Sequence, residues 1–386
     1  MARFAIIVGV TMLGGAALAP AGPVLGSDFA SGDLYVVSPA LPHPTPPPTA
    51  LSGVMRVDPV SGATAIIASL RFIQGRTATY DPYRDRIIVS TGSLRQIDAA
   101  GDVTDLATPF GNVNDVAPTG DGRLYLLGLT GVAPIGVIDA AGATHDLLDT
   151  DGRTPFTIAL TAGLGRCIYD ISTNALFVAD PLAPGTRIRR VPLTVDGMQV
   201  AGPIDETVYN ASLASADEPT QWSAGPGGSL FLKVDDNSNS LQARMLLVNP
   251  VTLDVVPYAS SSYFGVAGEV AGTYSSARDQ AVVLDSLSDH LRVFAFGESG
   301  AGAIFASPVS SSGSSGETAR VLSIGDTIGG GTSGSPADLD GDGDVDAADL
   351  AILLSRWGPC VGCGGDLDGD GDVDAADLAI LLGAWS

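Results

Sequence analysis

Seventeen residues near the end of the chain occur twice, letter for letter. Asp338–Leu354 reads DLDGDGDVDAADLAILL, and Asp366–Leu382 repeats it 28 positions later. Each copy places Asp at positions 1, 3, 5, 7, 9 and 12 of a twelve-residue loop, with Gly at position 6. A hard divalent cation such as calcium needs that array: short carboxylates on alternate residues, a sharp turn at Gly, and a closing carboxylate one helical turn later. In the first copy the ligands are Asp338, Asp340, Asp342, the main-chain carbonyl of Asp344, Asp346 through water, and Asp349. In the second they are Asp366, Asp368, Asp370, the carbonyl of Asp372, Asp374 and Asp377. Two calcium ions are expected. Six aspartates within twelve residues repel one another, so the segment should order only when metal neutralises them.

Each loop runs into a helix with an apolar stripe at i, i+3, i+4, i+7: Leu350, Leu353, Leu354, Trp357, then Leu378, Leu381, Leu382, Trp385. Neither helix can hide its stripe alone, so the two should pack on each other. A loop plus one helix, duplicated, with Asp rather than Glu at position 12, resembles the type I dockerin family over Asp338–Ser386, about an eighth of the chain. Gly343, Gly371 and the position-8 residues Val345 and Val373 fit the same pattern, and the resemblance implies that these valines face each other in a short β-bridge. It also implies a cohesin-like protein module or a cell-surface assembly as partner. Cellulosomal members carry a hydroxyl pair at positions 10 and 11 and a Lys-Arg pair at 17 and 18. This chain has Ala347-Ala348 and Leu354-Ser355, then Ala375-Ala376 and Leu382-Gly383.

The 386 residues include only 19 basic against 43 acidic side chains, a formal charge of −24. Twelve loop aspartates and Arg356 give Asp338–Ser386 a charge of 1 − 12 = −11, leaving −24 + 11 = −13 on the rest. Phosphate contacts need clustered Lys and Arg, and this strongly acidic balance argues against nucleic acid or anionic membrane as a partner. Residues 1–21 read as a secretory signal: Arg3, an apolar run over Phe4–Leu18, then small residues at Ala17, Ala19 and Ala21. No second apolar run follows, so no membrane span is expected after its removal, and the mature chain should be extracellular or at the cell surface. In such an oxidising space Cys360 and Cys363 should form a local disulfide. Zinc would need two further soft or imidazole ligands, and no His lies nearby. Cys167, between apolar neighbours, reads as a buried thiol.

From residue 28 to 326 a weaker repeat recurs: a turn, a strand, a loop, a second strand ending in Asp or Asn, a Gly-bearing turn and a third strand. Its clearest copy is Gly120–Leu148. Leu34, Ile87, Leu124, Leu176, Leu230 and Val282 occupy corresponding strand positions, at the spacing of blades of roughly forty to fifty residues plus loops. The fold class is therefore mainly β: a six-bladed β-propeller, with seven blades as the variant, followed by a small all-α paired calcium-loop–helix module. A β-sandwich or β-helix is the alternative for the same strand content. Val321–Ile324 should close the ring beside Leu34–Val37, and residues 327–336 form a Gly/Ser linker before the module at 337–386.

Asp58, Asp98, Asp139 and Asn249 each precede a Gly-bearing or tight reversal, where Asx side chains cap their own backbone, and are read as turn residues rather than a ligand ring. His43, His145 and His290 share no spacing that would build a metal or base–nucleophile site. Glu206, Glu218 and Glu269 are the acidic residues outside obvious turns that a glycosidase pair would draw on. LPHPTPPP at Leu41–Pro48 reads as an extended polyproline loop. Three functions fit. The leading one is a secreted, non-catalytic propeller that binds a protein or glycan and is tethered by the calcium module. The others are a glycoside hydrolase or polysaccharide lyase with a dockerin, and a structural surface protein that self-associates through its tail.

Overall fold

The structure of the protein is a computed structural model. It describes residues 29, 32–41, 51–70, 77–90, 93–161, 165–210, 217–236, 243–261, 271–275, 278–285, 290–306, 319–324, 337, 345, 347–355, 357–359, 367 and 372–385. The signal segment, His43, Glu269, the linker, Cys360, Cys363 and the loop residues Asp338, Asp340, Asp342, Asp344, Asp346, Asp366, Asp368 and Asp370 lie outside them.

Six sheets, antiparallel apart from one two-residue parallel pairing at Ser299–Gly300, form the six blades of a β-propeller. Their innermost strands are Arg320–Ser323, Ala78–Asp81, Val113–Pro118, Arg166–Asp170, Asp217–Ala224 and Gly272–Ser275, for blades one to six. Leu34, Ile87, Leu124, Leu176 and Leu230 all stand in the second strand of their blade, opposite Ser323, Tyr80, Pro118, Tyr169 and Ala224. In the sixth blade the equivalent residue is Ala281, opposite Tyr274, so the expected Val282 stands one step too far along. That slip matters because a one-residue shift moves a side chain to the other face of the sheet.

These second strands are buried on both faces, which is why they read as continuous apolar runs: LYLLG at Leu124–Gly128 and ALFVADP at Ala175–Pro181. Their side chains fill the wedges between blades. Tyr125, Leu127, Tyr169 and Leu176 meet in one wedge, and Leu34, Val36, Val282 and Leu284 in another. Each large apolar side chain removed from water there contributes roughly 1.5–3 kcal/mol.

The ring closes as the sequence indicates. Arg320–Ser323 pairs antiparallel with Leu34–Val37, so the last body strand completes the first blade and covers the inner edge of the Leu34–Leu41 strand. Main-chain bonds from Gly32 to Ile324 (2.7 Å) and from Ile324 to Asp33 (2.8 Å) extend the seam. This arrangement excludes the sandwich and the β-helix. Among the described residues of the body the one helical turn is a 3-10 turn at Pro226–Gly228.

Past the linker stand two nine-residue helices, α1 (Ala347–Ser355) and α2 (Ala375–Gly383). Leu353 and Leu381 are fully buried between them with Ala337, Val345 and Val373. Two expectations need correction here. Val373 pairs in a short ladder with Gly358, and Asp372 with Pro359, so the ladder of Val373 runs to Gly358 rather than to Val345, and the two valines share one buried side-chain cluster. Gly358, at φ 115°, gives the chain leaving α1 a conformation closed to other residues, which lets it lie along the second loop. The apolar stripes are also only half hidden: Leu354, Trp357, Leu382 and Trp385 remain exposed. Helices this short bury one row of side chains against each other and leave the adjoining row in solvent.

Candidate functional site

Two places carry functional side chains: the axial channel of the propeller and the C-terminal loops. The channel is built where the inner strands converge. Asp115 in the third blade accepts a hydrogen bond from the Thr77 hydroxyl of the second (2.7 Å) and from the Cys167 backbone N–H of the fourth (2.8 Å). Burial pushes the Asp115 carboxyl above its ordinary range, opposed by the nearby Arg166 guanidinium and the Thr77 bond. Arg166 donates from Nε to the Thr220 carbonyl (3.0 Å) and from Nη1 to Asn114 Oδ1 (3.3 Å). Trp222 Nε1 donates back to the Arg166 carbonyl (3.2 Å). These bonds join blades two to five as a hub.

Two small cavities lie beside the hub among the described residues. One cavity of about 40 Å³ is lined by Asp115, Cys167, Gln221 and Arg320, and one of about 70 Å³ by Pro118, Tyr169, Trp222 and Ser323. These volumes suit a few waters, against roughly 300–1,000 Å³ for pockets that enclose organic ligands. Cys167 is a buried free thiol, as its apolar neighbours indicated. Burial, and then the Asp115 charge, push it well up, so it stays protonated and unreactive.

The turn residues behave as read. Asp58 Oδ1 accepts from the backbone N–H groups of Val60 (3.0 Å) and Ser61 (2.6 Å), Asp98 from Asp102 (2.8 Å), Asp139 from Ala143 (2.8 Å), and Asn249 from Val251 (2.9 Å). The bonds to Ser61 hold the Asp58 carboxyl below its usual range. His145 lies on an outer strand with Nε2 2.9 Å from Asp139 Oδ2, and this pairing lowers the Asp139 carboxyl. His290 starts the third strand of the sixth blade, far from His145 in the ring order. Glu206 and Glu218 do not meet. One stands on the exposed outer strand of the fourth blade and the other on the inner strand of the fifth.

A motif that the sequence reading missed organises alternate blades. Tyr80 donates its hydroxyl to Asp85 (2.8 Å) and Tyr169 to Asn174 (2.9 Å), and Tyr274 bonds Asp279 likewise. Each acceptor stands at positive φ, 50°, 45° and 51°, in the turn leaving the inner strand. The signal was present as Tyr followed five residues later by Asp or Asn, in blades two, four and six.

In the C-terminal module the described ligand candidates are Asp349, Asp372, Asp374 and Asp377. Asp349 and Asp377, the position-12 residues of the two loops, are both fully buried. Asp377 folds back into its loop and accepts from the backbone N–H of Leu367 (2.6 Å) and of Asp374 (2.7 Å). Asp374 in turn accepts from Ala376 N–H (2.7 Å), completing a capping box that starts α2. The helix thus begins where the loop needs its closing carboxylate. A donor set composed of oxygen alone, with a buried carboxylate held at the loop's end, fits a hard cation such as calcium. Among the described residues no group of three or more His, Cys, Asp or Glu converges, and no helix is long and apolar enough to cross a membrane.

No known family model matches the chain, and no curated protein matches it. Among solved structures it is similar to the nidogen–laminin complex, with 11% identity, covering 75% of this chain and 97% of that one, at a TM-score of 0.49. TolB of Acinetobacter baumannii aligns at 12% identity over 76% of this chain and 67% of its own, with a TM-score of 0.47. The periplasmic gluconolactonase of Pseudomonas aeruginosa aligns at 13% identity over 76% of this chain and 97% of its own, with a TM-score of 0.45.

Proposed function

We propose that this protein is a secreted, non-catalytic β-propeller that binds a protein or glycan and is tethered to an extracellular or cell-surface assembly by a calcium-dependent, dockerin-like module. The observation that carries the reading is Asp377. This fully buried carboxylate is held by two loop N–H groups at the last ligand position of a twelve-residue, all-oxygen loop, and an identical sequence surrounds Asp349. A buried carboxylate in that position makes sense beside a divalent ion, whose charge offsets the cost of its desolvation. Asp338, Asp340, Asp342, Asp344, Asp346 and Asp349 would hold one ion, and Asp366, Asp368, Asp370, Asp372, Asp374 and Asp377 the other.

Support for binding rather than turnover comes from the channel. Its cavities are water-sized, its Asp115 and Arg166 are committed to bonds between blades, and its thiol is held protonated. Recognition then falls to the outer surface of the propeller. Incubating the full chain with a panel of polysaccharides, scored for both retention and product release, tests the reading. Retention without products is expected, whereas released sugars would establish a hydrolase or lyase instead.

A further inference from the structure

The C-terminal helices leave apolar surface uncovered in a way their duplication makes systematic. Leu353 and Leu381 are 0% exposed, but one position further on Leu354 is 50% and Leu382 is 52% exposed. Trp357 and Trp385, one turn beyond the buried leucines, are 49% and 44% exposed, and Ile380 is 38%. Identical loops have placed two equivalent Leu-Trp pairs in solvent. Tryptophan is among the residues that most often anchor protein interfaces, and exposed apolar patches on a soluble chain mark contact surfaces.

Charge selects the occupant. The module carries −11, still −7 after two calcium ions, and the remaining chain −13. A second copy or the chain's own propeller would bring like charge to the same place, which costs association free energy and slows encounter. The positions of the cellulosomal Lys-Arg pair hold Leu354-Ser355 and Leu382-Gly383, which leaves Arg356 as the single basic side chain against twelve acidic ones in the module.

We infer that Leu354 with Trp357, and Leu382 with Trp385, dock onto an apolar helical face rimmed by lysine and arginine on a partner protein. The inference rests on the calcium-module reading, because the loops must be ordered for the helices to hold these side chains in place. The indole rings and leucines supply the desolvated centre, and the module's net negative charge favours a partner whose apolar face is rimmed by cations.

The test uses the full chain and three labelled peptides in saturating calcium: an amphipathic Leu/Lys helix, its Leu/Glu counterpart and a Ser/Lys peptide of equal charge. The Leu/Lys peptide should bind, and the other two should bind at least about tenfold more weakly. Replacing Trp357→Ser with Trp385→Ser should weaken Leu/Lys binding by a similar factor while calcium uptake stays intact. Leu354→Ser with Leu382→Ser provides a second variant with the same expectation. Equal binding of Ser/Lys, undiminished binding by both variants, or calcium-dependent dimerisation of the full chain through these residues would overturn the inference. Calcium uptake without Leu/Lys binding sinks the docking surface alone. Tryptophan-dependent binding without calcium uptake sinks the calcium reading on which the inference rests.

Discussion

Gln221 reaches from the fifth blade to Val321 in the strand that closes the ring. Its side-chain oxygen accepts from the Val321 backbone N–H at 3.4 Å, and its amide nitrogen donates to the Val321 carbonyl. One side chain thereby satisfies the free edge of the closing strand as a neighbouring strand would. The linker to the C-terminal module leaves directly after this strand, so Gln221 fastens the element from which the tail departs. Replacing Gln221→Leu strips both bonds from a buried edge and should lower unfolding stability by about 1–3 kcal/mol in urea titration. An unchanged midpoint would show that the seam with Leu34–Val37 suffices.

Gly101 and Gly142 separate backbone preference from packing. Both stand at positive φ, 88° and 86°. A Cβ on Gly101 would lie 2.3 Å from the Ile67 carbonyl oxygen of the first blade, whereas one on Gly142 would meet nothing within 4 Å. Gly142→Ala should cost only the left-handed penalty of roughly 1–2 kcal/mol. Gly101→Ala should cost clearly more, because the turn must move off its neighbour's outer strand. Equal losses in thermal melts would contradict this contact.

Asp115 sets a pH dependence. Its folded carboxyl is raised above the unfolded value of about 3.9, so the neutral form is favoured in the fold. The stability linked to that preference is present below the unfolded value and is lost as pH rises through the folded one. The melting temperature of Asp115→Asn, relative to wild type, should therefore increase from pH 4 to pH 7. The turn carboxylates Asp58 and Asp139 run the other way, their contribution present above the unfolded value and lost on acidification. A difference between variant and wild type that falls with pH would be inconsistent with the channel geometry.

The tyrosine-anchored turns should be worth about 1 kcal/mol each. Tyr80→Phe and Tyr169→Phe keep the rings in their interblade clusters and remove only the bonds to Asp85 and Asn174. Both variants should bind and fold as wild type with slightly lower melting temperatures; no loss in either would mean that the left-handed turn holds without its anchor.

What was legible in the sequence was local. Asp58, Asp98, Asp139 and Asn249 could be read as turn caps because donor and acceptor lie within four residues of each other. Blade order was legible because second strands must be apolar on both faces, and it slipped at Val282, where Ala281 is too small to stand out from its neighbours. The channel was not legible. Thr77, Asp115 and Cys167 are 38 and 52 residues apart, and only ring closure brings them within hydrogen-bond reach. The Gly358–Val373 ladder escaped for the same reason, since it depends on how the segment between the loops folds back.

Calcium titration of the full chain, starting from chelated protein in a calorimeter, bears most directly on the account. Two ions should bind per chain. Asp338→Ala combined with Asp366→Ala should abolish uptake while the propeller melts at an unchanged temperature. Undiminished uptake by that variant, or no uptake by the wild-type chain, would contradict it.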